Sequence, residues 1–179
     1  PRVEMRAEDG SNPQSLYGKE STQGVYVRDS AVAVEKLALA DHMKHLKEWG
    51  KAAEVYQEIL QKFGDRVVPA QIDAANNIYQ YTSVNRAVQE RLSKWPKEGI
   101  DVYRTRYDAE ARAMLDSAKN DDVEKLHRVY ALFFITDPAK QAGERLIELH
   151  LEAGEFAAAA WIGDRLLALH PAIKPEEKP

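Results

Sequence analysis

The feature that most constrains the fold is a helix-hairpin phrase that occurs twice in the chain, about a hundred residues apart. In each copy an aromatic residue is followed three positions later by an alanine, in the pairs Trp49/Ala52 and Phe156/Ala159. A bulky aliphatic pair follows seven or eight positions after that, and an apolar helical segment precedes each copy. Helix pairs of this kind bury their apolar sides only by stacking on neighbouring pairs. The phrase therefore predicts a helical repeat protein, built as a scaffold and not as a catalyst.

Apolar periodicity and helix-capping residues predict an all-α chain of about eight helices. Ser30, Asp108 and Asp137 each stand at a predicted helix start. The predicted helices cover residues 31–48, 51–63, 84–94, 96–106, 109–118, 122–134, 138–153 and 155–170. Residues 65–81 interrupt the pattern, and 78–81 are compatible with a short extended segment. The predicted fold is a right-handed superhelical array of helix hairpins.

Two of the predicted helices carry an apolar stripe that we expect to face the core. On helix 31–48 the expected inward residues are Val32, Leu39, Met43 and Leu46. On helix 155–170 they are Phe156, Ala159, Ala160, Gly163 and Leu167. A glycine inside a helix costs about 1 kcal/mol relative to alanine. We therefore expect Gly163 to lie where another helix packs most closely.

Composition divides the 179 residues into a helical region and two polar ends. Residues 1–24 are rich in polar and small side chains, which predicts a disordered or extended segment. Residues 25–173 form the predicted helical domain. The prolines and charges of residues 174–179 predict a linker-like tail that leads into a further domain.

Charge and composition narrow the classes of partner. A net charge of −4 argues against a nucleic-acid surface, which needs clustered positive charge. No apolar run reaches the roughly 18 residues that span a bilayer. The chain has no cysteine, so disulfides and thiolate chemistry are excluded, and this is compatible with either an exported or a cytoplasmic location. The sequence therefore predicts neither a nucleic-acid partner nor a membrane span.

Three residue patterns suggest chemistry, and each has a plainer interpretation that we favour. His42-x-x-His45 offers half of a metal site, and Glu124-x-x-His127 offers half of a di-iron motif, but no complete ligand set is present. Aromatic and basic residues alternate within 103–112, as in some nucleic-acid surfaces, but acidic residues lie among them and favour packing with ion pairs. The sequence therefore predicts no catalytic residue, no cofactor and no metal site.

The best candidate binding surface is the concave face of the predicted array, which the first helix of each hairpin lines. Opposite the expected apolar stripe of helix 31–48 lie Val34, Leu37, Asp41, Lys44 and His45. On helix 138–153 the corresponding residues are Gln141, Glu144, Glu148, Leu151 and Glu152. Three glutamates surround a leucine in the second set, which predicts a protein or peptide partner with basic residues. A following domain of the same protein is the other partner compatible with this face.

Residues 33–66 and 140–173 resemble tetratricopeptide repeats. The first matches that family's large and small positions at Leu39-Ala40, Ala52, Tyr56 and Leu60, and the second at Leu146-Ile147, Gly154, Phe156, Ala159 and Pro171. The period is about 34 residues, and the interval between the two phrases leaves room for two less regular units. The resemblance implies a protein-binding scaffold.

A second resemblance covers residues 80–171. The segments that carry it are Tyr81-Thr82-Ser83-Val84, Val88-Gln89-Glu90-Arg91-Leu92, Pro96, Val102-Tyr103-Arg104, Ala113-Met114-Leu115 and the ending from Leu166 to Pro171. They are similar to the helical domain that precedes a pyrroloquinoline-quinone-binding-like (PQQ-like) β-propeller in certain exported bacterial proteins. The resemblance implies a periplasmic or otherwise exported location.

The predicted function is a non-catalytic scaffold domain for protein–protein interaction within a larger exported bacterial protein. The alternative is a helical accessory domain of a propeller-containing redox enzyme, where it would position the partner. A third hypothesis, a metal-binding helical bundle, rests on the two histidine-containing pairs alone.

Overall fold

The chain is mostly helical. The computed structural model describes residues 30–73, 78–118 and 122–173, and the side chains of these residues apart from 71–73, 78 and 79. The described part contains seven helices and two strands, which in chain order are α1 (Ala31–His45), α2 (Trp49–Phe63), β1 (Val67–Asp73), β2 (Ile78–Ser83), α3 (Val84–Leu92), α4 (Lys97–Ser117), α5 (Val123–Leu132), α6 (Asp137–Glu152) and α7 (Phe156–Leu169). The polar ends predicted for residues 1–24 and 174–179 lie outside the described residues.

The chain divides into two compact units, and the division falls inside α3, between Val88 and Gln89. In the first unit α1 packs on α2, and β1 pairs with β2 and also contacts α1. In the second unit α5 packs on α6, α6 on α7, and α4 on both α5 and α6. The prediction of one helical domain over residues 25–173 stays a prediction.

Four helices begin at a side chain that caps a free backbone amide. Ser30 accepts from the amide of Ala33, Ser83 from Arg86, Asp122 from Lys125 and Thr136 from Ala139. Such caps each stabilise a helix by about 1 kcal/mol. The predicted cap at Ser30 is confirmed, whereas the cap of α6 is Thr136, one residue before the predicted Asp137.

Alanine makes up half of the buried apolar residues of α1 and α2. Ala33, Leu37 and Ala40 of α1 are buried, and the α2 residues buried with them are Ala52, Ala53, Tyr56, Ile59 and Leu60. The predicted inward stripe is wrong, since Val32, Leu39 and Leu46 are exposed. The apolar residues of α1 are distributed around all sides of the helix, so periodicity alone does not identify its inward face. The buried face is the one on which the small side chains Ala33 and Ala40 allow close packing.

The two strands occupy the region where helical periodicity fails. They pair antiparallel, from Val67 opposite Ser83 to Asp73 opposite Ile78, with a bulge between Pro69 and Gln71. Proline has no amide to donate to a strand ladder and is therefore confined to edges and bulges. The extended segment predicted at 78–81 is confirmed, and its partner strand was not predicted.

Helix α4 is a single helix of 21 residues where two helices were predicted. Asp108 was expected to cap a new helix but lies in the middle of α4 instead. Burial raises the pKa of Asp108, and the positive charges of Arg104 and Arg112, one turn away on either side, oppose that shift. Oppositely charged residues at this spacing stabilise a helix. They offset the weak helix propensity of aspartate, and the helix continues.

A buried turn lies at the centre of the second unit. Residues 133–136 join α5 to α6, and Phe133, Phe134, Ile135 and Thr136 are all essentially inaccessible to solvent. Buried carbonyl groups need hydrogen-bond donors. Two side chains supply them to the turn itself, Arg104 to Ile135 and His170 to Thr136. Two more, Gln89 and Tyr103, donate to the last two carbonyls of α5, those of Ala131 and Leu132. The turn is therefore part of the core.

Neighbouring helices pack more tightly against Gly143 than against Gly163, the position where the sequence predicts the close contact. A Cβ atom at Gly143 would lie 3.0 Å from Leu166 Cδ1 and 3.0 Å from the Tyr130 ring. A Cβ atom at Gly163 would meet only Ile147 Cδ1, at 3.7 Å. The predicted stripe of α7 is confirmed only at Ala159: Ile162 and Leu166 are buried with it, whereas Phe156 and Ala160 are exposed.

Candidate protein-binding surface

The exposed side of α6 carries the acidic residues that the sequence singled out. Gln141, Glu144, Glu148, Leu151 and Glu152 are all exposed, and they extend along the helix to its last turn. The face exists as a solvent-facing strip because the opposite side of α6, which includes Ala142, Gly143 and Leu146, is buried against its neighbours.

Two of these glutamates are ion-paired within the chain. Glu144 Oε1 lies 3.6 Å from Lys140 Nζ, and Glu148 Oε2 lies 2.6 Å from Arg145 Nη1. Exposed pairs of this kind contribute at most about 1 kcal/mol and exchange partners easily. The strip thus carries three glutamates, of which two lie beside a cation of α6, and Arg112 of α4 contacts it at Gln141.

The residues of α1 that were expected to line the binding surface are less exposed than predicted. Leu37 is buried, and Asp41 Oδ1 accepts a hydrogen bond of 2.5 Å from the Tyr56 hydroxyl of α2. Lys44 is half-buried, and only Val34 and His45 of the set are exposed. The two predicted sets lie in different compact units, α1 in the first and α6 in the second.

Two exposed aromatic residues on α7 were not predicted to face solvent. Phe156 is 67% exposed and Trp161 is 53% exposed, although Phe156 was assigned to the core. Arg165 Cζ lies 4.8 Å from the centroid of the Trp161 ring, a cation–π contact. The run of four alanines between them offers no contrast between a polar and an apolar side. The sequence signal for exposure was therefore absent.

A third exposed apolar residue lies close to these along the chain. Leu151 is 49% exposed in the last turn of α6, and only the short connection to α7 separates it from Phe156. Contiguous exposed apolar patches on a folded domain mark interaction surfaces, whereas single exposed apolar side chains are ordinary. Leu151, Phe156 and Trp161 follow one another closely along the consecutive helices α6 and α7. Phe156, Leu151, Trp161 and the three glutamates of α6 are together called the α6–α7 surface below.

The alternating aromatic and basic residues of α4 have a structural role. Tyr103 and Tyr107 are buried, with ring centroids 4.9 Å apart. Arg104 Nη2 lies 3.2 Å from Asp137 Oδ1, and Arg112 donates to the Gln141 side chain at 2.7 Å. The packing interpretation of this pattern is confirmed. Burial also raises the pKa of Tyr103 well above its usual range.

The two histidine-containing pairs that offered half of a metal site lie in different surroundings. His42 and His45 are exposed on α1, as is Glu124 on α5. His127 is half-buried, and its ring centroid lies 5.6 Å from that of His150 on α6. His150 Nδ1 lies 2.6 Å from Glu155 Oε2. The structure thus brings together two histidines that the sequence did not connect.

Within residues 30–73, 78–118 and 122–173, no three His, Cys, Asp or Glu residues are grouped so that they could hold a metal ion. No helix of the described part is long and apolar enough to cross a membrane. The chain matches no protein-family model, no curated protein and no solved structure. The resemblances to tetratricopeptide repeats and to propeller-associated helical domains, and the exported location, therefore stay predictions.

Proposed function

We propose that the chain is a non-catalytic protein–protein interaction module and that the α6–α7 surface binds its partner. The observation that carries the proposal is the exposure of Leu151, Phe156 and Trp161 around the connection between two packed helices. Aromatic residues and arginine dominate the binding energy of protein interfaces. Here Trp161 and Arg165 already contact each other on the surface.

The charge of the surface defines the partner's chemistry. Glu144, Glu148 and Glu152 are exposed along α6, the helix that also carries Leu151. Basic residues of a partner would compete with Lys140 and Arg145 for Glu144 and Glu148, so electrostatics would contribute selectivity and association rate more than affinity. The partner we propose is a peptide segment with lysine or arginine next to a large apolar side chain.

The proposal includes the larger architecture that the sequence suggests. We propose that the helix hairpins are tetratricopeptide-like units of a right-handed superhelical array. We propose further that the chain belongs to a longer exported bacterial protein, in which it acts as a scaffold. The mostly helical structure supports this, as do the hairpins α1–α2 and α6–α7 at the positions of the two sequence phrases.

A selection from a random peptide library tests the proposal, with the whole chain as bait. We expect enriched peptides to combine basic residues with a large apolar residue. The triple variant Glu144→Lys/Glu148→Lys/Glu152→Lys should weaken binding of those peptides about tenfold or more. The matched control is Glu98→Lys/Glu110→Lys/Asp116→Lys, which makes the same charge change on exposed residues of α4.

The double variant Phe156→Ser/Trp161→Ser separates binding from folding. Both residues are mostly exposed, so we expect its free energy of unfolding to change by about 0.5 kcal/mol or less while peptide binding is lost. Equal binding by the wild type, the triple variant and the double variant would contradict the proposal.

A further inference from the structure

The contact between His127 and His150 has a geometry that a metal ion would satisfy. Two imidazoles on one Zn²⁺ ion, with zinc–nitrogen bonds of about 2.0–2.1 Å and a near-tetrahedral angle, have ring centroids about 5 to 6 Å apart. The observed separation is 5.6 Å, with ring planes inclined at 56°. Helices α5 and α6, which carry the two histidines, pack directly on each other.

The hydrogen bonding of His150 leaves one nitrogen suited to a metal. A carboxylate only accepts hydrogen bonds, so the Nδ1–H group of His150 donates to Glu155 Oε2 at 2.6 Å. In the neutral ring Nε2 then carries the lone pair. That atom is buried and makes no hydrogen bond with the described residues. A buried nitrogen acceptor without a donor is unfavourable, and a bound cation would satisfy it.

Glu155 occupies the position of a supporting group. Histidines that ligate metals usually donate their second N–H to a carboxylate, which fixes the tautomer and increases ligand basicity. Glu155 is held in place by the turn between α6 and α7, where its amide donates to the His150 carbonyl at 2.7 Å and Gly154 adopts a φ of 76°. The carboxylate, the ring and the open nitrogen therefore have the order that a metal site requires.

We propose that His127 and His150 bind a divalent transition-metal ion of the class that prefers imidazole, with Zn²⁺ as its representative, and that Glu155 positions His150. No third His, Cys, Asp or Glu of the described residues joins the pair, so water or an external ligand fills the remaining positions.

The test is calorimetric titration of the whole chain with Zn²⁺ at neutral pH. It is done in the His42→Gln/His45→Gln background, which removes the exposed pair on α1 and leaves the proposed site intact. We expect one ion per chain, loss of binding in both His127→Gln and His150→Gln, and affinity reduced about 10- to 100-fold in Glu155→Gln. Zn²⁺ should also raise the Tm of the background protein but not that of His127→Gln.

Nitrogen NMR of the histidine rings gives a readout that a merely structural contact would not move. Zn²⁺ should shift the Nε2 resonance of His150 strongly and leave Nδ1 bonded to Glu155. Circular dichroism checks that each variant folds. If His150→Gln does not fold, the Zn²⁺ titration of His127→Gln, whose substituted residue is half-buried, tests the proposal by itself. Absence of heat in the background protein, or heat that His127→Gln leaves unchanged, would overturn the proposal.

Discussion

Two short helix connections, one in each compact unit, have opposite character. Residues 46–48 between α1 and α2 lie at the surface: Leu46 is 58% exposed, and Lys47 has a φ of 59°. The connection between α5 and α6, residues 133–136, is buried and receives hydrogen bonds from the side chains of Arg104 on α4 and of His170, the residue after α7. A short helix connection is thus a linker in one unit and a core element in the other.

The largest expected difference between the two turns comes from removing a ring. Phe133→Ala should lower the free energy of unfolding by about 3–5 kcal/mol, because it leaves a cavity beside Tyr107. Leu46→Ala, the matched change in the exposed turn, should change it by about 0.5 kcal/mol or less. Urea denaturation of the whole chain measures both. Similar losses of unfolding free energy in the two variants would contradict the distinction between a buried and an exposed turn.

The buried turn should also make stability depend on pH through His170. Burial lowers the pKa of His170 from 6.5 to about 4, with Arg104 adding to the shift and the hydrogen bond to Thr136 opposing it. The unfolded chain therefore binds a proton before the folded chain does. The stabilisation is fully present above about pH 6.5 and is lost as the pH falls through about 4, a change of about 2–3 kcal/mol.

Denaturation of wild type and His170→Gln across this pH range isolates the effect. Glutamine keeps a donor for the Thr136 carbonyl but does not titrate. We expect the difference in unfolding free energy between the two proteins to shrink from pH 7 to pH 4. A difference that stays constant over this range would show that His170 does not titrate as proposed.

Two glycines test how the units differ in helix packing. Gly143→Ala places a methyl group 3.0 Å from Leu166 Cδ1 and the Tyr130 ring, so we expect a net loss of about 1–2 kcal/mol. Gly50→Ala meets nothing within 4 Å, so its helix propensity should raise stability by up to about 1 kcal/mol. Thermal unfolding of both variants shows whether each substitution raises or lowers the stability. A change in the same direction for both variants would contradict the packing described for Gly143.

The smallest expected effect is in the exposed turn. Lys47 adopts a left-handed φ that glycine accepts without strain. Lys47→Gly should therefore raise the free energy of unfolding by about 0.5 kcal/mol, after the loss of chain entropy is counted. Ile135→Gly in the buried turn should lower it by several kcal/mol, on the order of 2–5. A destabilised Lys47→Gly would show that the lysine side chain contributes to the turn.

Helix content and several helix starts were predictable from the sequence, because caps such as Ser30 and Ser83 act locally. The inward faces of α1 and α7 were not, because alanine-rich helices lack polar contrast and the interface follows close packing. The break predicted at Asp108 failed because charges one turn away support the helix there. The inward faces of α1 and α7 therefore depend on contacts with other helices, which the sequence of one helix does not reveal.

The candidate surface was predictable only in part. The acidic residues of α6 are exposed as expected, since polar periodicity along that helix is clear. The exposure of Phe156 and Trp161 was not predicted, and the approach of His127 to His150 joins residues of different helices. Contacts between helices depend on tertiary packing, which periodicity within one helix does not determine.

The central claim is that the α6–α7 surface is where this chain binds a partner. The most direct test is amide NMR of the whole chain during titration with a library-selected peptide that carries basic and apolar residues. We predict that the shifted amides cluster on the exposed side of α6 and the first half of α7, and that Phe156→Ser/Trp161→Ser abolishes the shifts. Shifts that cluster on α1 or α4, or that persist in this variant, would contradict the claim.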